Sequence, residues 1–353
     1  MTETFSGAID CDLHPRAPSP RALGAYMDDL WRDIVEVRGI DAWESISYPP
    51  NAPLTVRSDW RKSAADAEPA SVAKALLDPL RLAHGVCNCL FPIQSFRDEN
   101  LAAAFARALN DWLAAEWLSR DERLRGSMLV PLQSPQRAVE EIERRADDRR
   151  FVQVLLPVMG EDPLGKSRYW PIYEAAERHG FVIGIHAGSS YHHAVTGSGW
   201  PSYYIEDYAA QSLGFHTQLG SLICEGVFVK YPKLKVVLLE SGVTWLPPYL
   251  WRLSKFWRGV RNEVPWIDRP PEHYVRDHVR LTVQPFDAPP SAAHIGRLMD
   301  QLQSDEMLLF STDFPHWQFE GTDMLPPGLS ASLRRKILID NPLATYSRLG
   351  RPS

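Results

Sequence analysis

The strongest constraint on this chain is an alternation. Eight short apolar runs are each followed by a longer stretch whose apolar residues recur at helical spacing. The runs are Gly7 to His14, His84 to Phe91, Leu124 to Leu132, Phe151 to Leu156, Val182 to Ala187, Lys235 to Glu240, Arg280 to Val283 and Met307 to Phe310. Helical patterns cover 69–82, 98–119, 135–147, 168–179, 207–225, 243–257, 291–303 and 329–347. Eight strand–helix units predict a (β/α)8 barrel. An open doubly wound sheet would also alternate, but would normally carry a Gly-rich phosphate turn after its first strand, and none is present. A chain of 353 residues can hold the barrel as one domain, 1–353, with a large core.

Two stretches fall outside the alternation. Residues 15–68 follow the first strand, are rich in Pro and Trp, and contain one helix-like piece from Pro20 to Val37. Residues 188–206 follow the fifth strand as a lid-like loop of Gly, Ser and aromatic residues. Loops that follow barrel strands lie on the C-terminal face, so both insertions are expected to roof one mouth, or to serve contacts between copies. The patch from Pro265 to Pro271 reads as a rigid turn.

Composition removes several classes. With 38 Lys+Arg against 44 Asp+Glu, the net charge is −6, and no basic stripe points to nucleic acid. No apolar run approaches the ~18 residues of a membrane span. The N-terminus has neither a basic nor an apolar signal region, so a cytoplasmic protein is expected. Four cysteines, Cys11, Cys87, Cys89 and Cys224, make no disulfide framework or zinc pattern and read as buried thiols.

Chemistry is carried by what ends the strands. Asp12 and His14 share one face at the end of the first strand. His186 closes the fifth, Glu240 the sixth, and Asp313 follows the eighth. Alone, each reads as a cap, turn or core residue; together they converge on the rim of a barrel. Imidazole nitrogens and carboxylate oxygens from rigid elements are what a metal site requires.

The same residues carry a likeness. Asp10-Cys11-Asp12-Leu13-His14-Pro15, Ile185-His186-Ala187-Gly188, the stretch from Phe228 to Leu253 and Phe310 to Trp317 (FSTDFPHW) resemble the amidohydrolase superfamily. The branch is the amidohydrolase-related one that includes aminocarboxymuconate-semialdehyde and resorcylate-type decarboxylases. The resemblance spans nearly the whole chain and implies a distorted TIM barrel holding one or two divalent metals. It implies that Asp12, His14, His186 and Asp313 are ligands at strands one, five and eight. Glu240 stands where much of the family has a strand-six His, and Asp12 also replaces an imidazole. No Lys in the fourth strand is available for a carbamylated bridge. Such a set suits Zn, Mn or Fe.

Asp313 is the expected proton carrier beside a metal-bound water, and Glu240 either a ligand or a second carrier, or else the partner of an Arg such as Arg252. His192 and His193 lie in the lid-like loop; His316, three after Asp313, belongs near the rim; His216 is a packing or neighbouring residue. Trp200, Tyr203, Tyr204 and Trp245 are candidates to wall a small-molecule substrate, although they fill cores equally well. His84 and His179 read as structural. The first functional reading is hydrolysis of an amide, lactone or related carbonyl by metal-activated water. The alternative is non-oxidative decarboxylation of an aromatic or unsaturated acid, disfavoured by loss of the strand-six His. A second alternative is a dinuclear iron oxygenase, with a catalytically silent binding subunit last. The resemblance also implies a homodimer.

Overall fold

Every apolar run becomes a strand. The computed structural model describes residues 6–16, 18–45, 48–49, 55–189, 196–317 and 325–350, so His192 and His193 lie outside the described residues. The strands are β1 (Ile9–Leu13), β2 (His84–Cys87), β3 (Leu124–Leu129), β4 (Phe151–Met159), β5 (Val182–Ser189), β6 (Val236–Leu239), β7 (Val279–Thr282) and β8 (Leu308–Leu309). They form one sheet in chain order with every adjacent pair parallel. The seam from β8 back to β1 is closed by backbone N–H groups. Cys11 donates to Phe310 at 2.9 Å, Asp313 to Asp12 at 3.1 Å and His14 to Phe314 at 2.7 Å. The result is a distorted (β/α)8 barrel, with β8 short and register shifts in the β1–β2, β3–β4 and β4–β5 pairs.

The apolar runs are continuous because strands in a covered parallel sheet are buried on both faces. In β1, β2, β6 and β7 every residue is buried. Helical residues 69–80, 99–118, 135–145, 170–179, 204–224, 246–260, 292–302 and 331–345 pack between the strands, close to the ranges read from spacing. One helix departs from expectation. Pro265–Pro271 does not simply turn: Pro271 opens the helix Pro271–His278. Proline is well placed at a first helical position, where its missing N–H has no partner to lose. No helix among the described residues is long and apolar enough to cross a membrane.

The 15–68 insertion holds a short 3-10 turn at Ala22–Tyr26, then the helices Asp29–Val37 and Ser58–Ser63. Its last part is sewn to the segment after β8: Trp317 N donates to Thr55 O at 2.8 Å and Arg57 N to Pro315 O at 2.9 Å. Tyr48 ties it to the region after β5, donating its N–H to Asp207 Oδ2 at 3.0 Å, with its ring 4.8 Å from that of Trp200. The described parts of the two insertions therefore meet over the C-terminal rim. Cys11, Cys87 and Cys89 are buried free thiols, and burial pushes each of them up, away from the thiolate.

Candidate metal centre

The barrel assembles its site at the closing seam. Asp10, Asp12 and His14 alternate along β1 and just past it, so they share a face. His186 pairs with Leu239, which sets Glu240 one residue beyond. Glu240 and Asp313 both adopt left-handed backbone, with φ of 55° and 54°. For a residue with a Cβ this costs roughly 1–3 kcal/mol and persists where surrounding structure imposes it. The Glu240 N–H is held by Thr282 Oγ1 at 3.1 Å, and Asp10 clamps the seam by accepting from Asp12 N at 3.1 Å and Thr312 N at 3.0 Å.

All five residues singled out at strand ends come together, with His316 as a sixth. His14 Nε2 lies 3.2 Å from Asp12 Oδ1, 3.4 Å from Glu240 Oε1 and 3.1 Å from Asp313 Oδ1. His186 Nε2 is 3.7 Å from Asp12 Oδ1 and 3.4 Å from Glu240 Oε1. His316 Nδ1 donates to Asp313 Oδ1 at 2.6 Å and stands 3.5 Å from Glu240 Oε1. Two overlapping donor sets result, Asp12–His14–His186–Glu240 and His14–Glu240–Asp313–His316, each with its ligand atoms within 4.8 Å of one another. Glu240 therefore faces imidazoles, while the Arg252 guanidinium lies over the Phe256 ring, 5.0 Å from its centroid.

Three observations fit a cation. Metal–ligand bonds of about 2.0–2.2 Å in tetrahedral geometry hold neighbouring donors roughly 3.3–3.6 Å apart, close to the contacts of the first set. The second ring nitrogens of two histidines are already committed: His14 Nδ1 donates to Asn88 O at 2.9 Å and His186 Nδ1 to Ala187 O at 2.7 Å. That tautomer turns both Nε2 lone pairs inward, as backbone acceptors do for metal-bound histidines. Finally, Asp12 Oδ2, His186 Nε2, Glu240 Oε1 and Asp313 Oδ2 are buried with no hydrogen-bond partner among the described residues. Buried polar atoms left without partners call for a bound group.

The electrostatics agree. Burial opposes charge on His14, yet the Asp12, Asp313 and Glu240 carboxylates hold its imidazole well above the usual range. Burial likewise works against Glu240, but His186 and His14 hold it well below the ordinary carboxyl value. Asp313 behaves differently: burial and the Glu240 charge push it up to about 6. His316, opposed by burial but paired with Asp313, rises to about 9. Three carboxylates in a dry site demand positive charge, from protons or from a metal ion.

A small cleft of about 150 Å³ opens over Glu240, His186 and His316. Its other walls include Thr55 from the first insertion, Leu90, and Tyr204, Tyr208 and Gln211 from helix 204–224. The Tyr208 hydroxyl is buried and has no hydrogen-bond partner among the described residues. Of the aromatic residues expected to wall a substrate, Tyr204 alone lines this cleft. Trp200 and Tyr203 are largely exposed; Tyr203 begins helix 204–224 through its backbone, its N–H donating to Glu206 Oε2 at 2.8 Å. Trp245 packs on the His216 ring at 4.5 Å, and Tyr249 covers the same ring at 4.8 Å, so both Trp245 and His216 serve packing. His84 and His179 bond locally, to Arg123 O and Glu143.

Residues 9–348 match the family described as Amidohydrolase. The chain belongs to that family. Among curated relatives, the γ-resorcylate decarboxylase of Polaromonas sp. JS666 is 28% identical over 251 residues, spanning 65% of this chain and 71% of that protein. That of Rhodococcus jostii RHA1 is 29% identical over 239 residues, spanning 63% and 70%. Among solved structures, an amidohydrolase from Mycobacterium avium subsp. paratuberculosis superposes with a TM-score of 0.75 at 20% identity, covering 97% of this chain and 99% of that one. A dihydroxybenzoic acid decarboxylase from Polaromonas, solved with manganese and the inhibitor 2-nitroresorcinol, superposes at 0.69 and 20% identity, covering 98% of each chain. At these identities the superpositions establish the fold. The sequence expectation of a hydrolase is overturned by the relatives, which are named decarboxylases. Its physical basis, metal-activated water, applies to any divalent site and did not discriminate.

Proposed function

We propose that the chain is a metal-dependent, non-oxidative decarboxylase of a hydroxylated aromatic acid. The observation that carries this reading is the buried cluster of carboxylate and imidazole donors, whose His186, Glu240 and His316 open on a tyrosine-lined cleft with Asp313 hydrogen-bonded to His316. Asp12, His14, His186 and Glu240 are the residues that would hold the cation, and Mn²⁺ is the ion we favour among those the set suits, because the superposed Polaromonas decarboxylase was solved with manganese. A bound divalent ion would supply Lewis-acid chemistry, fixing the oxygens of the acid and favouring ionisation of its phenol, which enriches the ring carbon to be protonated.

The chain's own residues do the rest. Asp313, which burial and the Glu240 charge push up to about 6 and which accepts a hydrogen bond from His316, is the group we assign as the proton carrier. It gives that proton to the ring carbon bearing the carboxylate. The carbon–carbon bond then breaks, its electron pair returns to the ring, and carbon dioxide leaves. His316, hydrogen-bonded to Asp313 at 2.6 Å, returns the proton. This arrangement answers the objection raised by Glu240 at strand six: an imidazole still reaches the proton carrier, from a different position. The unpartnered Tyr208 hydroxyl is available to a substrate oxygen.

The test is direct. Mn²⁺-loaded protein incubated with 2,6-dihydroxybenzoate and related hydroxybenzoates should release carbon dioxide and the parent phenol in equal amounts. Fully loaded protein that releases none from any of them removes the proposal. The homodimer implied by family resemblance is proposed alongside, and sedimentation at micromolar concentration decides it.

A further inference from the structure

One buried amide touches two members of the cluster at once. Asn88, the residue after β2, accepts from His14 Nδ1 through its backbone oxygen at 2.9 Å. Its side-chain Nδ2 donates to Asp12 Oδ1 at 2.8 Å and to Cys11 O at 3.2 Å. Its own N–H donates to Leu13 O at 2.7 Å, which locks it against the end of β1. A carboxamide keeps its shape when turned over. An inverted Asn88 would therefore fit equally well and aim an oxygen at the Asp12 carboxylate.

A chain of buried groups decides between the two orientations. Asn88 Oδ1 accepts from Gln153 Nε2 at 2.9 Å and from the Ser127 hydroxyl. Gln153 Nε2 spends its second hydrogen on Ser127 Oγ at 2.8 Å. Gln153 Oε1 in turn accepts from the Tyr346 hydroxyl at 2.9 Å. Asn88, Ser127, Gln153 and Tyr346 are each at most 1% exposed, so no solvent competes for these bonds. Gly184 on β5 leaves Gln153 its seat: a Cβ there would fall 2.4 Å from Gln153 Cδ. Read from Tyr346 inward, each donor consumes one acceptor, and the last donor faces Asp12.

We propose that Asn88 is the positioning residue of the cation site, and that Tyr346, Gln153 and Ser127 set its orientation. Through Asn88, one donor steers the Asp12 carboxylate and one acceptor fixes the His14 tautomer that turns Nε2 inward. The inference rests on the cation site of the reading above, not on the reaction.

The experiment measures Mn²⁺ binding by full-length protein stripped of metal, using chelator competition and the resonance spectrum of the bound ion. Asn88→Asp keeps the shape but replaces the donor facing Asp12 by an acceptor. Its affinity for Mn²⁺ should fall about 10- to 100-fold, the usual effect of losing a partner that orients a ligand. Tyr346→Phe removes only the far end of the chain and should weaken binding about threefold, with an altered Mn²⁺ spectrum. Tyr346→Phe decides the matter if Asn88→Asp does not fold. Affinities within about twofold of wild type overturn the proposal, even where melting temperatures fall, because that pattern assigns the network to the fold alone. Wild-type protein that takes up no Mn²⁺ overturns the cation site as well; wild type that binds while the variants match it overturns this inference only.

Discussion

Asp313→Asn separates the proton-carrying role from everything else the residue does. The position has φ of 54°, a conformation that asparagine tolerates about as well as aspartate, so backbone strain does not change. The side chains are equal in size, and an amide oxygen can still accept from His316 Nδ1, now 2.6 Å away. The bond loses its ionic character, at a cost of about 1–2 kcal/mol, but the variant also removes a carboxylate from beside Glu240 in a fully buried site. These effects oppose one another, so stability should shift by no more than about 2 kcal/mol. The rate is another matter. A positioned general acid contributes roughly 10²–10⁴-fold, or about 3–5 kcal/mol of barrier, and an amide has no proton to give at neutral pH. The assay is carbon dioxide release from 2,6-dihydroxybenzoate, with metal content and unfolding curve measured on the same sample. The expected result is full metal, near-normal stability and kcat down at least about 100-fold. A kcat within tenfold of wild type at full metal occupancy refutes the assignment. Loss of the metal itself would show that Asp313 is a ligand before it is an acid.

Removing metal should destabilise the fold, because the donors are buried and binding to the native state is linked to folding. At Mn²⁺ about 100-fold above its dissociation constant the difference is about 2.7 kcal/mol, read as a shift in the denaturation midpoint; coincident curves with Mn²⁺ and with chelator would sink the cation site. Tyr208→Phe should leave stability unchanged or slightly raised, since the hydroxyl it deletes is buried without a partner. The same variant should raise KM for 2,6-dihydroxybenzoate about threefold to tenfold if that hydroxyl meets the substrate, and an unchanged KM withdraws the assignment.

Much of this was legible because a barrel strand advertises itself. FVQVLLP and VVLL are buried on both sides, so the apolar letters run on until the rim, and the first polar letters mark the mouth. The gathering of Asp12, His14, His186, Glu240 and Asp313 followed from that rule alone. The supporting network did not. Gln153 breaks an apolar run just as a solvent-facing residue would, and its partner Tyr346 is 193 residues away. Asn88 sits between two buried cysteines, and nothing in Cys87-Asn88-Cys89 distinguishes an inward amide from an outward one. Trp200, Tyr203 and Trp245 show the converse. Aromatic residues near a mouth invite assignment to the substrate, but a ring can equally face solvent or cover a neighbour, and spacing does not choose.

Glu240 shows how the chemistry of a site can survive the loss of a residue that the family pattern would have called essential. Counted by strand, carboxylates stand in place of an imidazole at one position of strand one and at strand six, and decarboxylation looked weaker for the second of these. Counted in space, the cluster holds three imidazoles and three carboxylates, because the left-handed turn at Asp313 is followed by His316, which returns to within 3.5 Å of Glu240 Oε1. The pairing of Val56 with His316 from the first insertion reinforces that return. A segment that looked like a roof therefore also braces His316, the histidine proposed to return the proton to Asp313. By charge and by donor type the cluster keeps what a metal and a transferable proton would need.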